Sequence, residues 1–426
     1  MKDKYFENSH FSTKGYHNFK TTSQLPRHRW YYLKEGFSAA LVEEAISNNL
    51  TRSNQNIQIL EPFCGTGTTP LTAALGGHYC TAMEVNPFLA FASRVKTTTG
   101  QWRHKRFNLN LEKVVQSSST ETPSHLEGSS TFTKRIGLDK WLFNRSVLRR
   151  FTSLMSAIDR FGGSYKDAMK LSAIVAAYAC CNAQRDGKAL RYKPNWRERN
   201  YTGKDLMERF HSHISQISQD VSDLPIDHRL KPTILTGDSR QELSLLENDR
   251  FDLVVTSPPY LNSFDYSDIY RPELFLAEYV KDNEELRQIR LSTLRSHIQV
   301  NWPGDVTFDS ALLLPVLDHL NESDSLWDER IPLMVRAYFD DMWKTFKILK
   351  SKIRTNGQVW LVVSTSAYGG VHIPVDFIVA DAANQAGFSL VGIHHLRHLR
   401  AASQQWKRLK VKAPPLRESL IIMSNG

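Results

Sequence analysis

Cysteine is scarce in this 426-residue chain: Cys64, Cys80, Cys180 and Cys181, with no Cys-x-x-Cys spacing. That excludes a zinc ribbon, and a disulfide framework does not suit a chain so long. Reduced thiols in a cytoplasmic protein are expected instead. No apolar run approaches the roughly 20 residues of a membrane helix. The opening "MKDKYFENSHFSTKGYHNF" has no apolar core of signal-peptide length. No internal repeat is evident. The histidines, His394, His395 and His398 among them, lack metal-ligand spacing with acids, so no metal is expected. A soluble chain with no membrane partner is the reading.

What is present is an ordinary globular composition, 41% apolar and 11% aromatic, with a formal net charge of +10. The core can therefore form unaided, and the positive excess suits a polyanionic partner. Residues 1–30 are polar and aromatic with little periodicity, so an arm is expected there. "KEGFSAALVEEAISNNL" reads as a helix that Ser38 can cap. "IQILEPFCGTGTTPLTAALGGHYCTAMEVNPFLAFASRVKT" reads as strand, glycine turn, helix, strand, helix. Thr68 or Thr69 would cap the first of these helices, with Pro70 at its first position. This βαβα unit predicts a parallel sheet.

Residues 101–228 interrupt the alternation. "SSSTETPSHLEGSSTF" reads as a mobile low-complexity loop, and "DKWLFNRSVLRRFTSLMSAIDRF" and "SYKDAMKLSAIVAAYACCNAQ" are helical by apolar spacing. Strands resume at "PTILTGDS" and "FDLVVTSPPY". After a second insert over 265–330 come a helix in "PLMVRAYFDDMWKTFKILKS", a strand in "GQVWLVVSTSAYGG", a helix in "PVDFIVADAANQAGF" and a strand in "RESLIIMS". The expected division is an arm (1–30), a cofactor-binding part (31–100), a mainly helical insertion that is the candidate target-recognition region (101–228), and a catalytic part (229–426).

Two stretches carry chemistry. In "EPFCGTGTT" a Gly-x-Gly between strand and helix lets backbone approach a ligand. No lysine follows Gly67, as a phosphate loop requires, and Pro70 occupies the place of a third glycine. Glu61, just before the turn, would repel a pyrophosphate and suits an ammonium group. Glu84 ends the next strand, near the spacing at which an acid takes ribose hydroxyls. Ribose, amino-acid end and no phosphate together fit S-adenosylmethionine. In "DLVVTSPPY" a buried strand runs into Ser257-Pro258-Pro259-Tyr260. Two prolines delete two N–H donors and hold the turn rigid. It offers carbonyl oxygens and the Ser257 hydroxyl to an exocyclic amine, and Tyr260 offers a face for stacking a base.

"TSPPY" after an apolar strand, paired with "FCGTGTT" on another, resembles the amino-methylating DNA methyltransferases, specifically their cytosine-N4 branch. "RDGKALRYKPNW" and "YLNSFDYSDIYRPELF" are similar, more loosely, to stretches of restriction-modification methyltransferases. The resemblance covers residues 31–98 and 234–426. It implies an α/β class I, Rossmann-like fold with a mostly parallel central sheet and a mainly helical insertion. It also implies that Phe63, Gly65, Gly67 and Thr68 wrap the methionine end of S-adenosylmethionine, beside Glu61. Glu84 would take the ribose, Asp238 the adenine amino group, and Phe37 and Ser38 would complete the pocket. Ser257, Pro258, Pro259 and Tyr260 would be catalytic, with no cysteine nucleophile, so Cys64 is read as packing. The implied activity is methylation of cytosine N4 in a base flipped out of double-stranded DNA, with cognate restriction or defence components as partners. The alternatives are an adenine-N6 DNA or RNA methyltransferase of the same fold and a catalytically inactive nucleic-acid binder. The basic stretches at 101–107, 185–201 and 394–419 interleave cations with Trp and Tyr and suit phosphate contact, or else are solvated loops.

Overall fold

A computed structural model describes residues 11, 16, 19–33, 36–50, 56–100, 102–161, 165–187, 189–302, 304–399 and 416–426. Most of the proposed arm before residue 19, and the basic stretch over 400–415, lie outside the described residues.

Seven strands form the main sheet: β1 (Gln58–Glu61), β2 (Tyr79–Glu84), β5 (Thr233–Thr236), β6 (Phe251–Thr256), β7 (Ile353–Ser364), β10 (Ser389–Leu399) and β11 (Leu416–Ser424). Two hairpins, β3 (Ala183–Asp186) with β4 (Ala189–Tyr192) and β8 (Ser366–Tyr368) with β9 (Val371–Ile373), stand apart from it. The sheet order is β10-β11-β7-β6-β1-β2-β5. β5, β2, β1, β6 and β7 pair in parallel, and β11 pairs antiparallel with both β7 and β10. This is the class I, Rossmann-like methyltransferase fold. Chain order reverses between β1 and β6, so the crevice at their carboxyl ends is where such a sheet takes its ligand. Central position explains the composition of β6: Leu253, Val254 and Val255 are wholly buried, as a strand covered on both faces requires.

Helices cover both faces. In chain order they include α1 (Ala39–Leu50), α2 (Thr68–Leu75), α3 (Pro87–Lys96), α4 (His104–Ser117), α5 (Arg145–Arg160), α6 (Lys166–Ala179), α7 (Gly203–Asp223), α8 (Ser239–Ser244), α9 (Tyr266–Ile269), α10 (Arg271–Leu276), α11 (Asn283–Leu291), α12 (Leu314–Asn321), α13 (Ile331–Lys352) and α14 (Val375–Gln385). Among the described residues no helix is long and apolar enough to cross a membrane. Apolar side chains of α5, α6 and α7 form one buried cluster with Phe88 and Leu89 of α3 and with Phe264, Tyr270 and Leu274. The inserted helices thus share a core with the wall of the crevice.

Several local expectations are corrected. The cap of α2 is Gly67 in the left-handed region (φ 83°), and Pro70 is the third helical residue. Thr69 cannot cap because its hydroxyl turns inward, 2.9 Å from Glu61 Oε2 and 3.2 Å from the Val255 carbonyl. The stretch 117–132 is held in place: Leu126 and Phe132 are buried, and the Glu127 carboxylate accepts from Arg149 at 2.8 and 3.0 Å. Arg27, His28 and Trp30 belong to the core and not to a loose arm. The Arg27 guanidinium donates to the carbonyls of Leu224, Lys96 and Thr98, and Trp30 donates to Asp220. "SLVGIHHLRHL", read only as basic, is the edge strand β10, where polar residues on the open side are tolerated.

Candidate active site

The crevice is built from four pieces of backbone. The first is the loop Phe63–Gly67 between β1 and α2. Gly65 (φ 52°) and Gly67 (φ 83°) both need the left-handed region. A Cβ at Gly67 would lie 2.3 Å from Ser93 Oγ, so the loop also packs directly on α3. Its backbone is pinned from below, where the Cys64 N–H donates to the Met83 carbonyl (2.8 Å) and buried Lys96 donates to the Thr66 carbonyl (2.9 Å).

The second piece is the end of β2. Glu84 Oε2 accepts from the Gly65 N–H and Oε1 from the Asn86 N–H, each at 2.8 Å. Burial pushes its carboxyl up to about 7, and those two N–H groups pull the other way. Glu84 lines the crevice and keeps lone pairs beyond the two in use. Asn86, which no spacing had singled out, caps α3 and lines the crevice as well.

The third is the turn after β5. Asp238 caps α8 and lines the crevice. Its carboxylate is gripped by Arg240, whose backbone N–H (3.0 Å), Nε (2.9 and 3.1 Å) and Nη2 (2.6 Å) all donate to it. Arg240 is held in turn by Asp341 (2.7 Å) and donates to the Thr293 carbonyl (3.3 Å). Asp341 and Asp340 of α13 also hold the buried Arg295. This ladder fastens residues 292–294 over the crevice, where Ser292, Thr293 and Leu294 form a wall. Sequence reading missed that wall, since its side chains carry no motif and an arginine–aspartate ladder across distant segments has no local signature.

The fourth is the corner after β6. Ser257, Pro258, Pro259 and Tyr260 all line the crevice. The Ser257 hydroxyl donates to the Val362 carbonyl of β7 (3.1 Å) and also lies in hydrogen-bond reach of Tyr260, and its oxygen keeps acceptor capacity for a further donor. Tyr260 donates to Glu418 Oε1 (2.8 Å), and Arg397 pairs with the same carboxylate (2.9 Å). Burial and Glu418 push the Tyr260 phenol up, so it stays protonated. The ring is thereby locked at the crevice edge, with Tyr266 and Ser267 of α9 beside it.

The predicted residues thus divide. Phe37, Phe63, Gly65, Thr68, Glu84, Asp238 and Ser257 to Tyr260 meet at one crevice. Ser38, Glu61 and Gly67 are not on its surface. Ser38 caps α1, accepting from the Leu41 N–H at 3.3 Å. Glu61 lies buried under the loop, accepting from the Phe63 N–H (2.9 Å) and bonding the hydroxyls of Thr69 (2.9 Å) and Thr256. Burial pushes its carboxyl up to about 8, so it is largely neutral near pH 7 and lies under the loop, which weakens the repulsion argued from its position. Cys64 is buried, and burial with the nearby Glu84 and Glu61 raises its thiol far from a thiolate, which suits packing. Among the described residues no cluster of His, Cys, Asp or Glu could hold a metal ion.

The buried Glu61 has a measurable consequence. Its pKa lies above the ordinary 4.5, so its stabilising share is full below that value and is lost as pH rises through about 8. Glu61→Gln is therefore expected to gain on wild type as pH rises, with Tm of the variant minus Tm of wild type increasing from about pH 5 to about pH 8. A pH-independent difference would mean that the carboxyl is ionised throughout.

No protein-family profile matches the chain. It is 23% identical over 436 aligned positions to the type II methyltransferase M.AvaI of Nostoc sp., covering 92% of this chain and 88% of that one. It is 25% identical over 430 positions to the type II methyltransferase M.BsoBI of Geobacillus stearothermophilus, covering 89% and 82%. M.MvaI of Kocuria varians, another type II methyltransferase, is 20% identical over 398 positions, covering 88% and 84%. Along most of its length, then, the chain is similar to type II methyltransferases. Two solved structures, TrmN from Thermus thermophilus (8% identity, TM-score 0.30, covering 95% of this chain and 52% of that one) and the rRNA methyltransferase AviRa from Streptomyces viridochromogenes (11%, 0.29, 96% and 93%), overlap too loosely to carry an argument.

Proposed function

We propose that the chain is a site-specific DNA methyltransferase that transfers the methyl group of S-adenosylmethionine to the N4 amino group of a cytosine turned out of the duplex. One observation carries the reading. A proline corner without N–H donors, with a serine whose hydroxyl is already committed to Val362, shares a crevice with a left-handed glycine loop and a strand-end carboxylate. The relatives' similarity along most of the chain supports it. A restriction partner of the same specificity is part of the proposal.

The residues suit S-adenosylmethionine. Lys96, which a phosphate ligand would need at the surface, is turned beneath the loop onto the Thr66 carbonyl. Glu84 has acceptor capacity for ribose hydroxyls, and Phe37, Phe63 and Leu294 supply apolar surface. When bound, the cofactor supplies an electrophilic methyl group on a sulfonium.

The chain's own task is to make a poor nucleophile attack. The lone pair of a cytosine amino group is delocalised into the ring. Ser257 Oγ and the Pro258 carbonyl accept its two N–H bonds, which turns the lone pair out of conjugation toward the methyl donor. Tyr260, locked through Glu418, stacks on the ring and offsets the few kcal/mol of extrusion from the duplex. The proton shed by the methylated nitrogen passes to solvent, since that nitrogen is strongly acidic while it carries four bonds. Positioning and fixed dipoles supply the acceleration, with no general base.

The deciding experiment is nucleoside analysis of DNA and RNA from cells with and without the gene. N4-methylcytosine in DNA is expected. N6-methyladenine as the sole new base, or methylation confined to RNA, would overturn the assignment.

A further inference from the structure

The hairpin β3–β4 and the segment 134–140 carry a surface that the crevice does not use. Its centre is aromatic: Trp141 and Trp196 meet edge to face at 4.6 Å, and Tyr192 packs on Trp196 at 5.1 Å. Cations lie on these rings. Lys134 sits over Trp141 (5.2 Å), Lys140 over Tyr192 (5.6 Å) and Arg197 over Trp196 (4.8 Å). All three are exposed, as is Arg199 nearby, and among the described residues none of the four forms an ion pair, although Arg197 donates to the Asp139 carbonyl (3.1 Å) and Arg199 to the Pro194 carbonyl (3.3 Å) and the Tyr201 hydroxyl (3.2 Å). Asp139 and Glu198 lie in the same segments without neutralising them. At the tip of the loop Ile136 is fully exposed between Arg135 and Gly137. A solvated face has no need to stack cations on indoles or to present an uncovered isoleucine among them.

The surface is also rigidly placed. Arg185 of β3 lies over Tyr178 (4.2 Å) and Tyr270 (4.4 Å), donates to the Tyr31 hydroxyl (2.8 and 2.9 Å) and pairs with the buried Glu273. β4 packs on α9, whose Tyr266 and Ser267 line the crevice. The hairpin that carries the platform therefore packs on an element that lines the crevice.

We propose that this cation–aromatic platform seats the phosphate backbone of duplex DNA beside the crevice, with Lys134, Lys140 and Arg197 as phosphate contacts. Cations held on ring faces are already partly ordered and lose less side-chain freedom when a phosphate arrives. Ile136 is the kind of apolar tip that enters a groove or wedges at a base step. The inference rests on the reading of the chain as a DNA methyltransferase and adds where the duplex lies.

The test uses the full chain carrying Lys134→Ala, Lys140→Ala and Arg197→Ala together. The probe is a mixed-sequence DNA duplex of about 30 base pairs, titrated across salt, since phosphate contacts act on any sequence. The variant is expected to bind at least about tenfold more weakly at low salt. Its slope of log affinity on log salt should fall by roughly 0.9 for each contact removed, two to three in all. Affinity for S-adenosylhomocysteine should not change, and exchanging each cation for the other type (Lys134→Arg, Lys140→Arg, Arg197→Lys) should restore most DNA binding. Unchanged DNA affinity and slope overturn the inference alone. Loss of cofactor affinity in parallel, or a loss seen with duplex RNA and not with DNA, also overturns it. Wild-type protein that binds no duplex DNA overturns both this inference and the function it rests on.

Discussion

Ser257→Ala is expected to lower turnover by on the order of a hundredfold while leaving affinity for S-adenosylhomocysteine unchanged. The reason lies in the direction of one hydroxyl. Because Ser257 donates to the Val362 carbonyl, it faces the crevice as an acceptor, and the proposed amine finds there the partner for one of its two N–H bonds. Alanine leaves that N–H unpaired in a confined site, at a cost of roughly 1–3 kcal/mol, and the lone pair slides back into conjugation. The loss should fall on kcat and not on the cofactor, because in the proposed arrangement Ser257 meets the base. Single-turnover kinetics with parallel cofactor titration separates the two. A matched fall in both would make Ser257 a mere prop of the β6–β7 junction.

Glu84→Ala is expected to have the opposite profile, with cofactor affinity falling about a hundredfold or more. Two effects add. The ribose loses charge-assisted bonds worth roughly 1.5–3 kcal/mol each, and the N–H groups of Gly65 and Asn86 lose the acceptor that shapes the loop. Titration calorimetry with S-adenosylhomocysteine reads the change directly. The same residue predicts a pH dependence. Burial pushes its carboxyl up to about 7, and ribose hydroxyls favour the ionised form. Cofactor affinity should therefore fall as pH drops below about 7 and level off above it, with binding near neutrality releasing a proton. A wild-type affinity that is flat with pH, or a Glu84→Ala variant of unchanged affinity, would remove Glu84 from the ribose site.

The residues legible in the sequence were those whose chemistry is local. Gly65 and Gly67 announce a loop with positive φ because side chains are costly there, and the two prolines announce a corner without donors whatever surrounds them. Apolar runs such as "LVV" mark strands buried on both faces, from which the parallel sheet and its crevice follow. The hairpin β3–β4, the strand β10 and the wall at 292–294 were not legible. Each is a polar or mixed segment whose place depends on partners far along the chain: Glu273 for Arg185, β11 for β10, and Arg240 with Asp341 for the wall.

Glu61 marks the boundary between the two kinds of information. From the sequence alone its position beside the glycine turn could be read, and an acid there looked like part of the ligand's surroundings. Only the packed structure turned it beneath the loop, where Thr69, Thr256 and the Phe63 N–H take its oxygens and burial holds it largely neutral. Backbone conformation and donor count are properties of a residue and its neighbours, so the chain states them outright. The direction of a hydroxyl, the charge of a carboxyl and the face a side chain presents are set by desolvation and by partners brought from elsewhere, so the fold decides them.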